Sequence, residues 1–469
     1  MSTTSTPEPA AALDGAAEML RGIRLERLRS FRAREEASYS RAHPRSRSLT
    51  ASAASGYYAG VPMHWMLDWP LPFPLVVANA RGSTLSDVDG NLLADFCLGD
   101  TGAMFGHSPA PVVKALVAQA SRGLAYMLPT EDALVVGRLL AERFRLPHWQ
   151  VATTASDANR FALRLARAVT KRAKILVMNG CYHGAVDETY VTLENGRARN
   201  RPGLIGQFAD LMAGTEVVEF NDVPALERAL AGRDIACVIT EPVLTNCCMV
   251  LPAPGFHAQL RTLTRATQTL LLIDETHTIS TGPGGYSAAH GLDPDLFVLG
   301  KPIAGGVPTS VWGFTEAIAE EWDRIRREDP PGHSGIGTTL SANALSMATM
   351  RATLTEVMTE VAYAHMDALA QRLANGLEAV IARAGLRWHV ARVGARVEFI
   401  CAPGPLRNGS EAARAHAPEL EQAVHLGLLN RGCVIAPFHN MMLLCPATTA
   451  GQVDQLVAAF GGVVGSLTG

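Results

Sequence analysis

The sequence predicts an α/β protein: a large, mostly parallel sheet with helices on both faces, joined to a smaller α+β domain. Three observations carry this prediction. From about residue 109 to 350, helix-like segments alternate with short apolar runs, the pattern of a sheet built by crossovers. The runs are almost unbroken by polar residues, as strands buried on both faces are. Each run stops at polar residues, which marks the carboxyl edge where ligands of such sheets bind.

The elements follow in order. Residues 1 to about 12 are rich in Ser, Thr, Pro and Ala and read as disordered. A helical segment runs to about Ser38. The arginine-rich stretch Arg21 to Arg47 alternates with Glu26, Glu35 and Glu36, as a solvated helix or a partner-contacting arm does. A loop-rich stretch passes Tyr57-Tyr58 and Met63-His64-Trp65-Met66. Residues 75–98 read as a strand, the turn Asp87-Val88-Asp89-Gly90-Asn91, and a second strand. Helices are expected at 110–122, 131–145, 157–171, 224–231 and 256–268, and strands at 174–179, 235–240, 269–274 and 296–299. A long helical stretch at 342–385 leads to strands near 388–401 and 433–445 and a last helix from 451. The domain reading is an N-terminal arm and helix at 1–50, then the N-terminal part of the small domain at 51–108. The large domain follows at 109–345, and the C-terminal part of the small domain at 346–469.

Composition narrows the function. At 469 residues, 48% apolar and 18% charged, the chain has ample material for core or subunit interface. A net charge of −3 gives no reason to expect nucleic acid or an anionic membrane as partner. None of the 8 cysteines forms a CxxC pair, so neither zinc nor a disulfide framework is indicated, and reduced cytoplasmic thiols are expected. The first apolar stretch, Ala10 to Leu20, is broken by Asp14 and Glu18 and does not read as a signal peptide. No run approaches the ~18 apolar residues of a membrane span.

The chemistry sits at the strand ends. Leu270-Leu271-Leu272-Ile273 runs into Asp274-Glu275, and Leu296-Phe297-Val298-Leu299 runs into Gly300-Lys301. Two more runs end at Asn179-Gly180-Cys181-Tyr182-His183-Gly184 and at Glu241-Pro242, and all four ends should converge. A lysine in a dry site can lose its proton and act as an amine nucleophile. A strand-end Asp with a strand-end Lys is what pyridoxal 5'-phosphate chemistry needs: Lys301 for the Schiff base, Asp274 to keep the pyridine nitrogen protonated. Thr153-Thr154-Ala155-Ser156-Asp157-Ala158-Asn159 precedes an amphipathic helix, with Ser156 as its N-cap. Free amides there suit a phosphate. Tyr182 is placed to stack on a ring. His107 and His183 fit no metal spacing, and no metal site is expected.

This ordered set resembles the class III aminotransferases of pyridoxal-phosphate fold type I, nearest the glutamate-1-semialdehyde 2,1-aminomutase-like branch, from about residue 55 onward. Gly106-His107-Ser108-Pro109, Glu241-Pro242-Val243, Gly300-Lys301-Pro302 and Thr339-Leu340-Ser341-Ala342-Asn343 also carry the likeness. The resemblance implies Lys301 as the cofactor-binding lysine and proton carrier, and Asp274 against the ring nitrogen. It implies Ala155 and Ser156 on the phosphate and Tyr182 on the ring face. It implies Thr339 reaching the phosphate of a neighbouring subunit, and so a homodimer with shared sites.

The chain also departs from the pattern. Thr276-His277 stands where relatives have Val followed by Met or Gln. Thr276, behind the ring, adds a hydroxyl that wants a partner, and His277 is a candidate for the ring oxygen or the substrate. Ala155 and Thr338 each replace a usual Gly. The loop Val61-Pro62-Met63-His64-Trp65-Met66 lacks the arginine that relatives of carboxylated donors carry, and offers His64 and Trp65 instead. That suits a bulky or aryl amine better than a carboxylate. Arg396 is a candidate carboxylate anchor, and Tyr126 to Thr130 should line the entrance.

The reading is a ping-pong transamination from an amine or amino acid donor to a keto acid or aldehyde. The rival on the same scaffold is an intramolecular aminomutase or racemase. A non-catalytic relative is disfavoured by the intact Lys301, Asp274 and phosphate seat.

Overall fold

The computed structural model describes residues 18–51, 56–207, 209–328, 330, 332 and 334–469; the segment expected to be disordered lies outside them. Seven strands make the central sheet: β1 His148–Ala152, β2 Lys174–Met178, β3 Thr215–Val218, β4 Ile235–Thr240, β5 Leu270–Asp274, β6 Leu296–Leu299 and β7 Ser310–Phe314. Their spatial order is β3-β2-β4-β5-β6-β7-β1. β7 pairs antiparallel with β6 and β1, and the remaining pairings are parallel. β4 and β6 are buried along their whole length, as aliphatic runs covered on both faces must be.

Three of the seven strands escape the sequence reading. β1 and β3 are the two sheet edges, and edge strands carry polar residues (His148 and Gln150; Thr215 and Glu216) that blur an apolar run. β7 holds Gly313, where a Cβ would lie 2.8 Å from the Trp149 ring on β1, so close strand packing costs it an apolar side chain.

Local capping decides where the key helix begins. The Ala155–Thr170 helix starts two residues before the expected position. Its N-cap is Thr154, whose Oγ1 accepts from the Asp157 amide at 3.2 Å, not Ser156. β1 ends at Ala152, the backbone stays extended through Thr154, and the first helical residue is therefore Ala155. The Ser156 hydroxyl instead accepts from the Ala185 amide at 2.9 Å.

Both chain ends build the smaller layer. One sheet pairs Cys433–Val434, Leu92–Asp95, Thr84–Asp87 and Val77–Arg81; another pairs His389–Val393, Arg396–Ile400 and Met441–Leu443. The single N-terminal strand expected near 75–87 is two, because the chain reverses at Gly82, whose φ is +56°. The 342–385 stretch is not one helix. Ala344–Ala352 runs into a π turn at Thr353–Val357, Met358 leaves helical geometry, and Thr359 caps a new helix, Glu360–Arg383. The N-terminal helix Leu25–Ala42 is not solvated all round, since Leu28, Phe31, Glu35 and Tyr39 are buried. Its Glu35 meets Arg431 at 3.0 Å. Among the described residues no helix is long and apolar enough to cross a membrane.

Candidate active site

The carboxyl ends of β1, β2, β4, β5 and β6 converge on one cavity of about 730 Å3. It is lined by Thr153 to Ser156, Tyr182 to Gly184, Glu241, Asp274, Thr276, His277 and Lys301, among others. Parallel strands aligned by the crossovers put their C-terminal residues on the same edge, which is why residues from positions 153 to 301 meet.

Asp274 lies at the centre, 4 % exposed. Its Oδ2 accepts from Asn159 Nδ2 at 2.9 Å and stands 2.9 Å from His183 Nδ1; its Oδ1 accepts from the Thr276 amide at 3.1 Å. Burial alone raises a carboxyl pKa, but the His183 hydrogen bond and charge, with Thr276 and Asn159, outweigh it and hold Asp274 below the usual range. Asp274 is thus ionised in a nearly dry place. His183 and Asn159 had no role in the sequence reading; only the fold shows that both point at Asp274.

Lys301 follows β6 in a left-handed turn, φ +48°. Its Nζ is 2.7 Å from Asp100 Oδ2 and 2.5 Å from His277 Nε2. His277 Nδ1 is 2.6 Å from Thr245 Oγ1, which donates to Glu241 Oε2 at 2.5 Å. Burial, then the Lys301 charge, drives the His277 pKa well below its usual value, so the ring is neutral. Burial raises the Glu241 carboxyl against the pull of His183 and Thr245. Neither Asp100 nor Thr245 was foreseen, because each arrives on a loop with no motif to flag it.

Close contacts shape the remaining wall. A Cβ on Gly300 would lie 2.8 Å from the Ala155 Cβ, and one on Gly184 (φ +83°) would lie 2.1 Å from Ser156 Oγ. The Thr276 hydroxyl does find a partner: it accepts from the Gly300 amide at 3.2 Å. Tyr182 is half-exposed on the cavity wall.

Other candidates stand apart from the cavity. His64 and Trp65 sit on an exposed turn, with Trp65 edge-on to Phe438 at 6.2 Å, and neither lines it. Tyr126 is tied back, accepting from Gln119 Nε2 at 3.0 Å. Thr339 is exposed on the 334–343 loop. Arg396, at 0 % exposure, is behind the wall, donating from Nη2 to Thr101 Oγ1 at 2.5 Å. Among the described residues no cluster of His, Cys, Asp or Glu is arranged to hold a metal ion.

The family profile described as aminotransferase class-III matches residues 68–461. The glutamate-1-semialdehyde 2,1-aminomutase of Desulforudis audaxviator (strain MP104C) is 34% identical over 392 residues, covering 82% of this chain and 89% of that protein. The crystal structure of a glutamate-1-semialdehyde-aminomutase from Pseudomonas aeruginosa PAO1 is 49% identical, with a TM-score of 0.93 over 95% of this chain and 100% of that one. A variant of that enzyme was solved in complex with PMP. An omega-transaminase from Sphaerobacter thermophilus is 26% identical, with a TM-score of 0.82 over 91% of this chain and 98% of that one. On this evidence the chain belongs to the class III aminotransferase family, enzymes of the α/β fold seen here that depend on pyridoxal phosphate.

Proposed function

We propose that this enzyme moves an amino group within one substrate, between adjacent carbons, rather than between two substrates. The observation that carries the reading is the likeness to glutamate-1-semialdehyde aminomutases, 49% identical over 95% of the chain in the Pseudomonas case. It reverses the order of the sequence reading, which put ping-pong transamination first.

The residues present fit the cofactor. Bound pyridoxal phosphate supplies an aldehyde that captures amines and a ring that draws off electrons. Asp274, ionised and anchored by His183 and Asn159, holds a proton on the ring nitrogen. The amides of Ala155 and Ser156, at a helix start kept open by Gly184 and Gly300, bind the phosphate. Tyr182 and Thr276, both on the cavity wall, would pack against the ring. Lys301 would hold the cofactor's aldehyde through Nζ, and the same amine would carry a proton between substrate carbons. Thr339 of a second copy completes the phosphate seat, which makes the working unit a homodimer with shared sites.

Glutamate 1-semialdehyde is the first substrate to offer, followed by amines and amino acids with and without pyruvate. The expected result is isomerisation with the nitrogen retained and no amino group appearing on added pyruvate. Conversion of pyruvate to alanine in step with substrate loss would instead establish transamination, the activity named for the Sphaerobacter relative.

A further inference from the structure

Four side chains that follow three strand ends make one unbroken chain of contacts. Lys301 Nζ is 2.5 Å from His277 Nε2, His277 Nδ1 is 2.6 Å from Thr245 Oγ1, and Thr245 donates to Glu241 Oε2 at 2.5 Å. The polarity is consistent from end to end. The Thr245 proton is committed to Glu241, so Thr245 accepts from His277 Nδ1–H. A neutral ring protonated at Nδ1 leaves Nε2 bare toward the lysine amine. Thr245, Glu241 and His277 are all buried, so water does not compete for the inner links.

Two carboxylates stand within reach of the lysine's proton. Asp100 Oδ2 is the nearer, 2.7 Å from Nζ. Burial raises its pKa, but neighbouring cations, Lys301 first and Arg396 among them, hold it well below the usual range. Arg396 stays charged when Lys301 is discharged, so Asp100 remains an anion. Glu241 is the reverse case. Burial raises it, and Asp274 adds to the rise against His183, Thr245 and Asn246. The groups facing the His277 ring are Lys301, Asp100, Arg396 and His439. Moving a proton from Lys301 to Glu241 removes two charges from a nearly dry place, which burial favours.

We propose that His277, Thr245 and Glu241 form a proton relay that discharges Lys301. One proton leaves Nζ for His277 Nε2, the Nδ1 proton passes to Thr245 Oγ1, and the Thr245 hydroxyl proton passes to Glu241 Oε2. Lys301 ends as a free amine, Glu241 as a neutral acid, His277 as its other tautomer and Thr245 again as a hydroxyl. The reverse shift restores the start. His277 touches the reacting amine and is a catalytic residue; Thr245 and Glu241 act through it. The relay rests on Lys301 as the lysine that takes the cofactor, because an ammonium has no lone pair with which to attack an aldehyde.

The test follows the rate at which the full chain, stripped of cofactor, forms its covalent absorbance band with saturating pyridoxal phosphate at pH 7, with no substrate present. In the wild type the rate should depend on the D2O fraction of the solvent along a bowed curve, the mark of several protons moving together, and Thr245→Ser should keep that curve. Thr245→Val and His277→Gln should slow the band at least about tenfold and straighten the dependence. Glutamine keeps an acceptor toward Lys301 and a donor toward Thr245, so a merely structural ring would lose nothing by the change. Glu241→Gln should also slow the band. Charge alone predicts the opposite, since removing an anion lets an ammonium shed its proton more readily. A linear dependence in the wild type would overturn the relay even if no variant folds, and so would an unchanged or faster rate in Glu241→Gln. A wild type with no covalent band would sink the role of Lys301 itself; a band that all variants form as fast as the wild type would sink only the relay.

Discussion

His183 Nδ1 and Asp274 Oδ2 are 2.9 Å apart, both buried, and joined across 91 residues of sequence. The two side chains titrate in opposite senses. Asp274 is lowered, so its stabilising contribution is present above the unfolded carboxylate pKa and is lost as pH falls through the native value. His183 is raised to about 10: burial lowers it, while Cys181 and Asp274 raise it more. Its contribution is complete below the unfolded value of about 6.5 and is lost as pH rises through the native one.

His183→Asn should therefore cost most stability in mildly acidic to neutral solution. Urea unfolding of wild type and variant at pH 6 and pH 9.5 should show the larger gap at pH 6. An equal gap at both would mean that His183 is neutral in the fold.

Lys301→Ala should fold, since alanine tolerates the turn, and should bind the cofactor without a covalent band. Turnover should fall by roughly 10²–10⁴-fold or more, the range for losing a positioned acid–base group. Absorbance and activity on one preparation check both halves; wild-type turnover would refute the assignment.

Gly184→Ala places a Cβ 2.1 Å from Ser156 Oγ and 2.9 Å from its Cα, at φ +83°. The helix start must shift, so cofactor affinity should drop more than tenfold, with a stability loss of about 1–3 kcal/mol. Equilibrium titration with pyridoxal phosphate and thermal melting report the two effects separately.

His277 has its pKa lowered by burial and by Lys301, so the unfolded chain takes up a proton that the native site refuses. Native stability should therefore decline as pH drops below about 6.5 by a component that His277→Gln lacks. Comparing the unfolding midpoints of the two proteins at pH 5 and pH 7.5 checks it; parallel declines would contradict a neutral ring.

The sequence by itself determined four of the five interior strands, β2, β4, β5 and β6, and the positions of Asp274 and Lys301. Strands buried on both faces must be apolar throughout, so Leu270–Asp274 and Leu296–Leu299 announce themselves, and a polar residue closing such a run stands out. Edge strands β1 and β3 obey no such rule and went unread. The tertiary structure alone decided what surrounds those residues. Asp100 reaches Lys301 across 201 residues, Thr245 reaches His277 across 32, and Asn159 reaches Asp274 across 115. Arg396, conspicuous in sequence, is packed out of the cavity against Thr101. Periodicity encodes which face of an element is buried; which loops meet over the sheet edge depends on crossover packing, and no local pattern records it.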